Sequence, residues 1–187
     1  VVGLSLTGTS VTPVTSGANP WTGIPTLSVL GGTVTFSNTV PGNANDYPTP
    51  GWTGSIQTTN NFKVVLADSV DLGLSVEQLL DIDEGDLSGT AGGAAETLIV
   101  NNYNGQNIQS DELGPDLTIS KLNVKPGTIF VTNVVNMDPL ADMSKVQEIV
   151  IPAYTVLNMS ADQIELLIGD GKVTGDGILN LTGFDSD

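Results

Sequence analysis

The sequence contains no cysteine, no histidine and no arginine. Without cysteine, the chain forms no disulfide bond and offers no thiolate to a metal ion. Without histidine and arginine, it lacks the commonest general base, the commonest metal ligand and the usual clamp for oxyanions and phosphates. These absences exclude most familiar enzyme mechanisms, so we expect the protein not to be an enzyme. A pair of carboxylates of the glycosidase type stays open, because acidic residues are plentiful.

Positive charge is also scarce. Five lysines stand against 21 acidic residues, and the net charge is −16. The electrostatic field of such a chain repels nucleic acids and anionic membrane surfaces, and it attracts cations. No run of about 18 apolar residues occurs, so we expect no segment that inserts into a membrane. Neither nucleic acid nor a membrane is therefore an expected partner.

The polar positions are filled mainly by threonine, serine, asparagine and glycine, since charged residues make up only 14% of the chain. This mixture is typical of secreted β-proteins and of viral or surface-layer proteins. The sequence opens on valine instead of methionine. A removed leader peptide would imply export, whereas loss of the first residue alone would fit a capsid protein. We expect an extracellular or cell-surface location, with a virion as the alternative.

Two segments of the first half recur in related form in the second half. Residues 63–79 resemble 148–164, and residues 27–40 resemble 122–135. The two spacings differ because the first half carries a Pro/Gly/Asn-rich insertion at 41–60. The pattern indicates a duplicated unit. The alternative is that the segments look alike only because strands use few residue types.

Short helices are predicted at one place in each half. Ser75 is followed three residues later by Gln78, and Ser160 by Gln163. This spacing is that of the capping box, in which each side chain bonds the backbone N–H of the other residue. A helix of about two turns is too short to be stable alone, so each must pack against a sheet.

Alternation of apolar and small polar residues predicts half-buried strands through much of the chain. The first strand, containing Leu4 and Leu6, would pair within its own chain or reach into a neighbouring copy. Gly31 and Gly32 predict a tight turn between two strands. The segment 129–131 is apolar on both faces, which favours a strand in the centre of a sheet.

The fold class predicted from these patterns is all-β, a β-sandwich or jelly roll built from two internally similar halves with one short helix each. The first β repeat covers residues 1–105 and the second covers residues 106–187. We expect the two to pack as one sandwich unit, because the second repeat alone is short for an independent core.

Acidic, glycine-containing loops follow both predicted helices. Oxygen ligands two residues apart in such a loop suit a hard cation, and Ca²⁺ is the candidate cofactor. The segment GDGKVTGDGILN resembles a dockerin-type calcium loop, but Lys172 and Thr174 stand where that pattern would want carboxylates. Solvated loops that bind no ion are the alternative. The candidate ligands are Asp81, Asp83, Asp86, Asp170 and Asp176.

Three aromatic residues lie in Pro/Gly-rich loops of the first half: Trp21, Tyr47 and Trp52. Exposed aromatic rings are platforms on which sugar rings stack, and they serve equally well to close the end of a hydrophobic core. Two acceptor patterns for N-glycosylation occur, at Asn158 and Asn180. They matter only if the protein is exported in a host with that machinery, and Asn158 also precedes a helix cap, where asparagine is common.

The function that these observations favour is structural. We expect a non-enzymatic protein that assembles with copies of itself, as a subunit of an extracellular filament or surface layer, with donation of the first strand as one means of contact. Two alternatives remain open at this point. One is a viral capsid protein with a single jelly roll, and the other is a calcium-dependent carbohydrate-binding module that uses the three aromatic residues.

Overall fold

The computed structural model describes residues 4–6, 26–29, 32–36, 55–58, 62–66, 71–82, 86–89, 96–167 and 171–183. The chain divides into two compact units. One unit comprises residues 1–99 and 111–118, and the other comprises residues 100–110 and 119–187. Three elements contribute residues to both units: β8 (Glu96–Tyr103), the 3₁₀ turn Ser110–Glu112 and β9 (Leu117–Val124).

The first unit is built from short parallel strands. They are β1 (Leu4–Leu6), β2 (Thr26–Val29), β3 (Gly32–Phe36), β4 (Ser55–Thr58), β5 (Phe62–Leu66), β6 (Asp71–Ser75) and β7 (Leu87–Ser88). One sheet has the order β1-β2-β4, another has the order β3-β5-β7, and β6 is the neighbour of β8. From β2 to β5 the chain changes sheet at every strand. In sequence, β3 therefore lies between the paired strands β2 and β4, and β4 lies between the paired strands β3 and β5.

The second unit repeats this arrangement. Its strands after β9 are β10 (Asn133–Asn136), β11 (Glu148–Val150), β12 (Thr155–Ser160), β13 (Lys172–Thr174) and β14 (Ile178–Thr182). One sheet contains β8, β9, β11 and β13 in that order, and the other contains β10, β12 and β14. The chain alternates between these two sheets from β9 to β14. We call one passage of the chain through both sheets a coil. Aligned residues of β10, β12 and β14 are 22 positions apart in the sequence, so one coil is 22 residues long.

The core of the second unit follows from alternation along its strands. In β12, Thr155, Leu157 and Met159 are buried, while the residues between them are half-buried. Thr155 is accommodated because its hydroxyl accepts a hydrogen bond from the amide of Gly127 over 3.0 Å and donates one to the carbonyl oxygen of Lys125 over 3.3 Å. Other buried apolar residues of this unit are Ile119, Leu122, Val124, Val135, Met143, Ile149 and Ile151.

Both predicted helices are confirmed with their capping boxes. Helix α1 (Val76–Leu80) begins after Ser75, whose hydroxyl accepts from the Gln78 amide over 3.1 Å. Helix α2 (Ala161–Glu165) begins after Ser160, which contacts Gln163 in the same way over 3.2 Å. In each box the glutamine Oε1 accepts the backbone N–H of the serine. No helix among the described residues has the length and apolar character needed to cross a membrane.

The predicted all-β sandwich or jelly roll is wrong. The strand pairs whose registers are defined are parallel, and the helices are few and short. Parallel-only sheets indicate an α/β-like topology, whereas sandwiches and jelly rolls are built from antiparallel strands. In the second unit the crossovers run through a strand of the opposite sheet, as in the coils of a solenoid protein. Alternation predicted half-buried strands correctly, but it carries no information on strand direction.

Two finer predictions concern strands near the start of the chain. The strands on either side of the predicted turn at Gly31 and Gly32, β2 and β3, belong to different sheets and do not pair with each other. Gly31 itself lies outside the described residues. The opening strand β1 pairs in parallel with β2, with Leu4 opposite Leu27 and Leu6 opposite Val29. Donation of this strand to a neighbouring copy stays a prediction.

Candidate functional site

The sheet formed by β10, β12 and β14 exposes a regular outer face. Its residues lie in rows across the three strands, because the strands are parallel and in register. One row is apolar, one consists of asparagines, and a shorter row pairs a serine with a threonine. We call this surface the outer face, and it consists of Val134, Val156 and Ile178, of Asn136, Asn158 and Asn180, and of Ser160 and Thr182.

The asparagine row is a ladder of side-chain hydrogen bonds. Nδ2 of Asn158 donates to Oδ1 of Asn136 over 2.7 Å. Nδ2 of Asn180 donates to Oδ1 of Asn158 over 2.8 Å. A shift of one residue would turn these side chains toward the core and lose both bonds, so the ladder helps to fix strand register. The other sheet has a similar pair, since Asn123 donates to Asn101 over 2.8 Å.

The apolar row carries large side chains in contact with solvent. Val134 is 56% exposed and Ile178 is 62% exposed, while Val156 between them is half-buried. Adjacent strands of a sheet lie about 4.8 Å apart, so the row presents three branched apolar groups at a regular spacing.

A tightly bonded turn before β10 adds three more exposed apolar residues. They are Ile129, Phe130 and Val131, and Phe130 is 91% exposed. The amide of Val131 donates to the Thr128 hydroxyl over 3.1 Å, and the Thr128 amide donates to the Val131 carbonyl over 2.7 Å. We call residues 128–131 the Phe130 turn. The prediction that this segment is a central strand is wrong, because the Thr128 bonds close a turn here and its apolar side chains face solvent.

No charged residue lies on the outer face or in the Phe130 turn. The sequences of β10, β12 and β14 are NVVN, TVLNMS and ILNLT, and the turn is TIFV. The whole chain has a net charge of −16. Two copies that approach each other through these uncharged surfaces therefore meet less repulsion than copies that approach through surfaces with acidic residues.

The predicted metal ligands are only partly described. Asp81 and Asp176 are exposed and Asp86 is half-buried, while Asp83 and Asp170 lie outside the described residues. Asp81 ends helix α1, where its backbone amide donates to the carbonyl of Glu77. Within the described part of the chain, no group of three or more acidic side chains comes together as a metal site would require. Calcium binding by these five residues stays a prediction.

The other predicted site residues have separate outcomes. Trp21, Tyr47 and Trp52 lie outside the described residues. Asn158 and Asn180, the two glycosylation candidates, both use Nδ2 as the donor in the asparagine ladder. That nitrogen is the atom to which a glycan would be attached. The ladder therefore gives both asparagines a structural role that does not involve glycosylation.

Comparisons with protein-family models, with curated proteins and with solved structures give no match.

The outer face has a sequence signal that the comparison of the two halves missed. The triplets Val134-Val135-Asn136, Val156-Leu157-Asn158 and Ile178-Leu179-Asn180 recur every 22 residues. In each triplet the first and third residues face outward and the middle one faces the core. A search for short periods would have predicted stacked coils of a repeat architecture.

Proposed function

We propose that the protein is a non-enzymatic structural protein that assembles with copies of itself through the outer face and the Phe130 turn. The observation that carries this proposal is an uncharged surface with exposed apolar residues on a chain of net charge −16. Exposed apolar patches of this kind mark interaction surfaces in soluble proteins. The partner that fits best is a second copy of the same face.

The chemistry of the rows supports such pairing. Val134 and Ile178 supply apolar area whose removal from water favours association. Each asparagine Nδ2 carries two hydrogens; the ladder uses one from Asn158 and one from Asn180, and none from Asn136. The remaining hydrogens can bond across an interface, so that the asparagine row is not left without partners when it is buried. A face that pairs with its own copy forms an isologous contact.

A second type of contact is needed for a filament or a layer, because an isologous pair closes on itself. The edge of β14 is a candidate. Among the described residues, the hydrogen-bonded neighbour of β14 is β12 alone. Free backbone groups at a strand edge accept another strand. An additional strand there would also extend the asparagine ladder, because Oδ1 of Asn180 stands at its end.

An extracellular or cell-surface location belongs to the same proposal. Its support is the composition, in which threonine, serine, asparagine and glycine supply most polar side chains. The capsid alternative depended on a jelly roll, which parallel sheets do not form, and it is no part of the proposal.

The test is sedimentation velocity over a range of protein concentrations. The wild-type protein should self-associate, and screening of the net charge by added salt should strengthen the association. Val134→Glu combined with Ile178→Glu places charge in the apolar row and should leave a folded monomer with unchanged circular dichroism. Ser144→Glu, at an exposed position outside the outer face, controls for added negative charge and should associate like the wild type.

Two results would contradict the proposal. One is a wild-type protein that stays monomeric at all concentrations and salt levels. The other is a double variant that is folded and associates as strongly as the Ser144→Glu control.

A further inference from the structure

The bend that follows β8 contains the pair Asn104-Gly105, and no other asparagine in the sequence is followed by glycine. Asn104 is exposed, and Gly105 has φ of 92°, in the left-handed region that favours glycine. Because glycine has no side chain, its backbone nitrogen is the least hindered one that a preceding asparagine side chain can meet. This pair is therefore the place in the chain where a side-chain amide and a backbone amide react most readily with each other.

The hydrogen bonds around the pair leave both reacting groups free. The Asn104 side chain accepts a bond at Oδ1, whereas its Nδ2 has no partner among the described residues. The backbone amide of Gly105 likewise has none among them. By contrast, Asn136 is followed by Met137, whose amide donates to the carbonyl oxygen of Asn158 over 2.9 Å. An amide engaged in this way cannot attack the preceding side chain without losing its bond.

A neighbouring side chain activates the carbonyl group of Asn104. Nδ2 of Asn133 donates to Oδ1 of Asn104 over 3.2 Å and to the carbonyl oxygen of Lys125 over 2.7 Å. The second bond holds the Asn133 donor in place. A donor at a carbonyl oxygen stabilises the negative charge that develops there when a nucleophile attacks the carbon. The Cγ atom of Asn104 is therefore prepared for attack.

We propose that Asn104 is a site of spontaneous deamidation in the folded protein, promoted by Asn133. The backbone nitrogen of Gly105 gives its proton to hydroxide and forms a bond to Cγ of Asn104. The bond from Cγ to Nδ2 then breaks, Nδ2 takes a proton from water and leaves as ammonia, and a cyclic succinimide remains. Water adds to either carbonyl group of this ring and opens it, which gives aspartate or isoaspartate. The inference does not rest on self-assembly.

The two products differ in their effect on the fold. Aspartate keeps an oxygen that accepts the bond from Asn133, and it adds one negative charge. Isoaspartate instead lengthens the backbone between residues 104 and 105 by a methylene group. Gly105 packs closely against β10, because a Cβ added to it would overlap the carbonyl oxygen of Asn136. The isoaspartate product should therefore disturb the end of β10, where the asparagine ladder begins.

The experiment incubates the wild-type chain at mildly alkaline pH, once folded and once unfolded in guanidinium chloride, and follows deamidation by peptide mass spectrometry. In the folded protein, Asn104 should convert before any other asparagine. The ladder residues Asn136, Asn158 and Asn180 should keep their amides. A folded protein that retains Asn104 over a period in which the unfolded chain converts it would overturn the proposal, because the fold would then protect the pair.

Asn133→Asp tests the part played by the neighbouring amide, since it keeps the size of the side chain and removes its donor hydrogens. In the folded state, this variant should deamidate at Asn104 about tenfold more slowly, a smaller loss than in a water-excluded enzyme site because the pair is open to solvent. In guanidinium chloride, the variant and the wild type should convert at the same rate. Equal rates in the folded state, with unchanged circular dichroism, would contradict the role of Asn133.

Asn104→Gln is the matched control. Its longer side chain would have to close a larger ring, so this variant should stay unconverted at the site and keep the circular dichroism of the wild type. The separated isoaspartate product should melt about 3 °C below the Asn104→Asp variant. Equal melting temperatures would contradict the close packing of Gly105 on Asn136. The comparison of folded and unfolded wild type needs no variant to fold.

Discussion

Asn180 donates its side-chain amide to Oδ1 of Asn158 over 2.8 Å, and the two residues are 22 positions apart in the sequence. The same relation holds one coil earlier, between Asn158 and Asn136. The middle asparagine therefore takes part in two hydrogen bonds, as donor in one and as acceptor in the other. Its neighbours Val156 and Ser160 share its side of the sheet, so the ladder stands between an apolar and a hydroxyl row.

The first prediction concerns the middle of the ladder. Asn158→Ala removes both side-chain bonds and should lower the free energy of unfolding by about 1–2 kcal/mol. Asn180→Ala removes one bond at the end of the ladder and should cost about half as much. Urea denaturation followed by circular dichroism measures both values. Equal losses for the two variants would contradict the prediction that Asn158 contributes two hydrogen bonds to stability and Asn180 one.

The second prediction concerns the turn between β13 and β14. Gly175 has φ of 104°, and a Cβ there would overlap the carbonyl oxygen of Ile151. That carbonyl accepts a hydrogen bond from Gly177 over 2.9 Å and cannot move without loss. Gly175→Ala should therefore reduce stability by about 2 kcal/mol or more.

Gly183 is the matched control for this substitution. Its φ is also positive, at 79°, but no atom lies within 4 Å of an added Cβ. Gly183→Ala should lower the free energy of unfolding by only about 1 kcal/mol, which is the cost of a side chain in the left-handed region. Thermal unfolding of both variants separates the two contributions. An effect at Gly175 no larger than that at Gly183 would contradict the overlap with Ile151.

The third prediction concerns alkaline pH. Burial raises the pKa of the Tyr103 hydroxyl well above its ordinary value. The backbone of Asp138 lowers this pKa by a smaller amount, and the charge of the Asp138 carboxylate raises it by a still smaller one. The folded protein therefore keeps this hydroxyl neutral at a pH where the unfolded chain has released the proton. Its contribution to stability is complete below about pH 10 and is lost progressively as the pH rises above that value.

Tyr103→Phe tests this directly. The hydroxyl is buried without a hydrogen-bond partner among the described residues, so its removal should be nearly neutral at pH 7. Above pH 10, urea midpoints of the variant should fall less steeply than those of the wild type. Parallel pH profiles for the two proteins would show that Tyr103 does not titrate on unfolding.

The sequence predicted local features better than it predicted topology. Both capping boxes are correct, because Ser75 and Gln78, like Ser160 and Gln163, bond each other within a single turn of chain. The first strand was placed correctly around Leu4 and Leu6 for a similar reason, since alternation reflects two local faces. Whether two strands pair in parallel or antiparallel depends on which strands meet in the fold. The residues within one strand do not determine this.

The error at Phe130 has a different origin. Three consecutive large apolar residues normally indicate burial, yet the hydroxyl of Thr128 closes a turn and leaves them in solvent. A surface that binds a partner looks like core in its composition. The outer face itself could have been predicted, because its valine or isoleucine and its asparagine return at a constant interval.

The coils of 22 residues in the second unit also determine how that unit can change in length. A whole inserted coil would add one strand to each sheet and one more asparagine to the row, and existing neighbours would keep their contacts. A single inserted residue within β12 would instead turn Leu157 outward and Asn158 inward. Gene duplication in steps of one coil is therefore the tolerated route to a longer or shorter molecule.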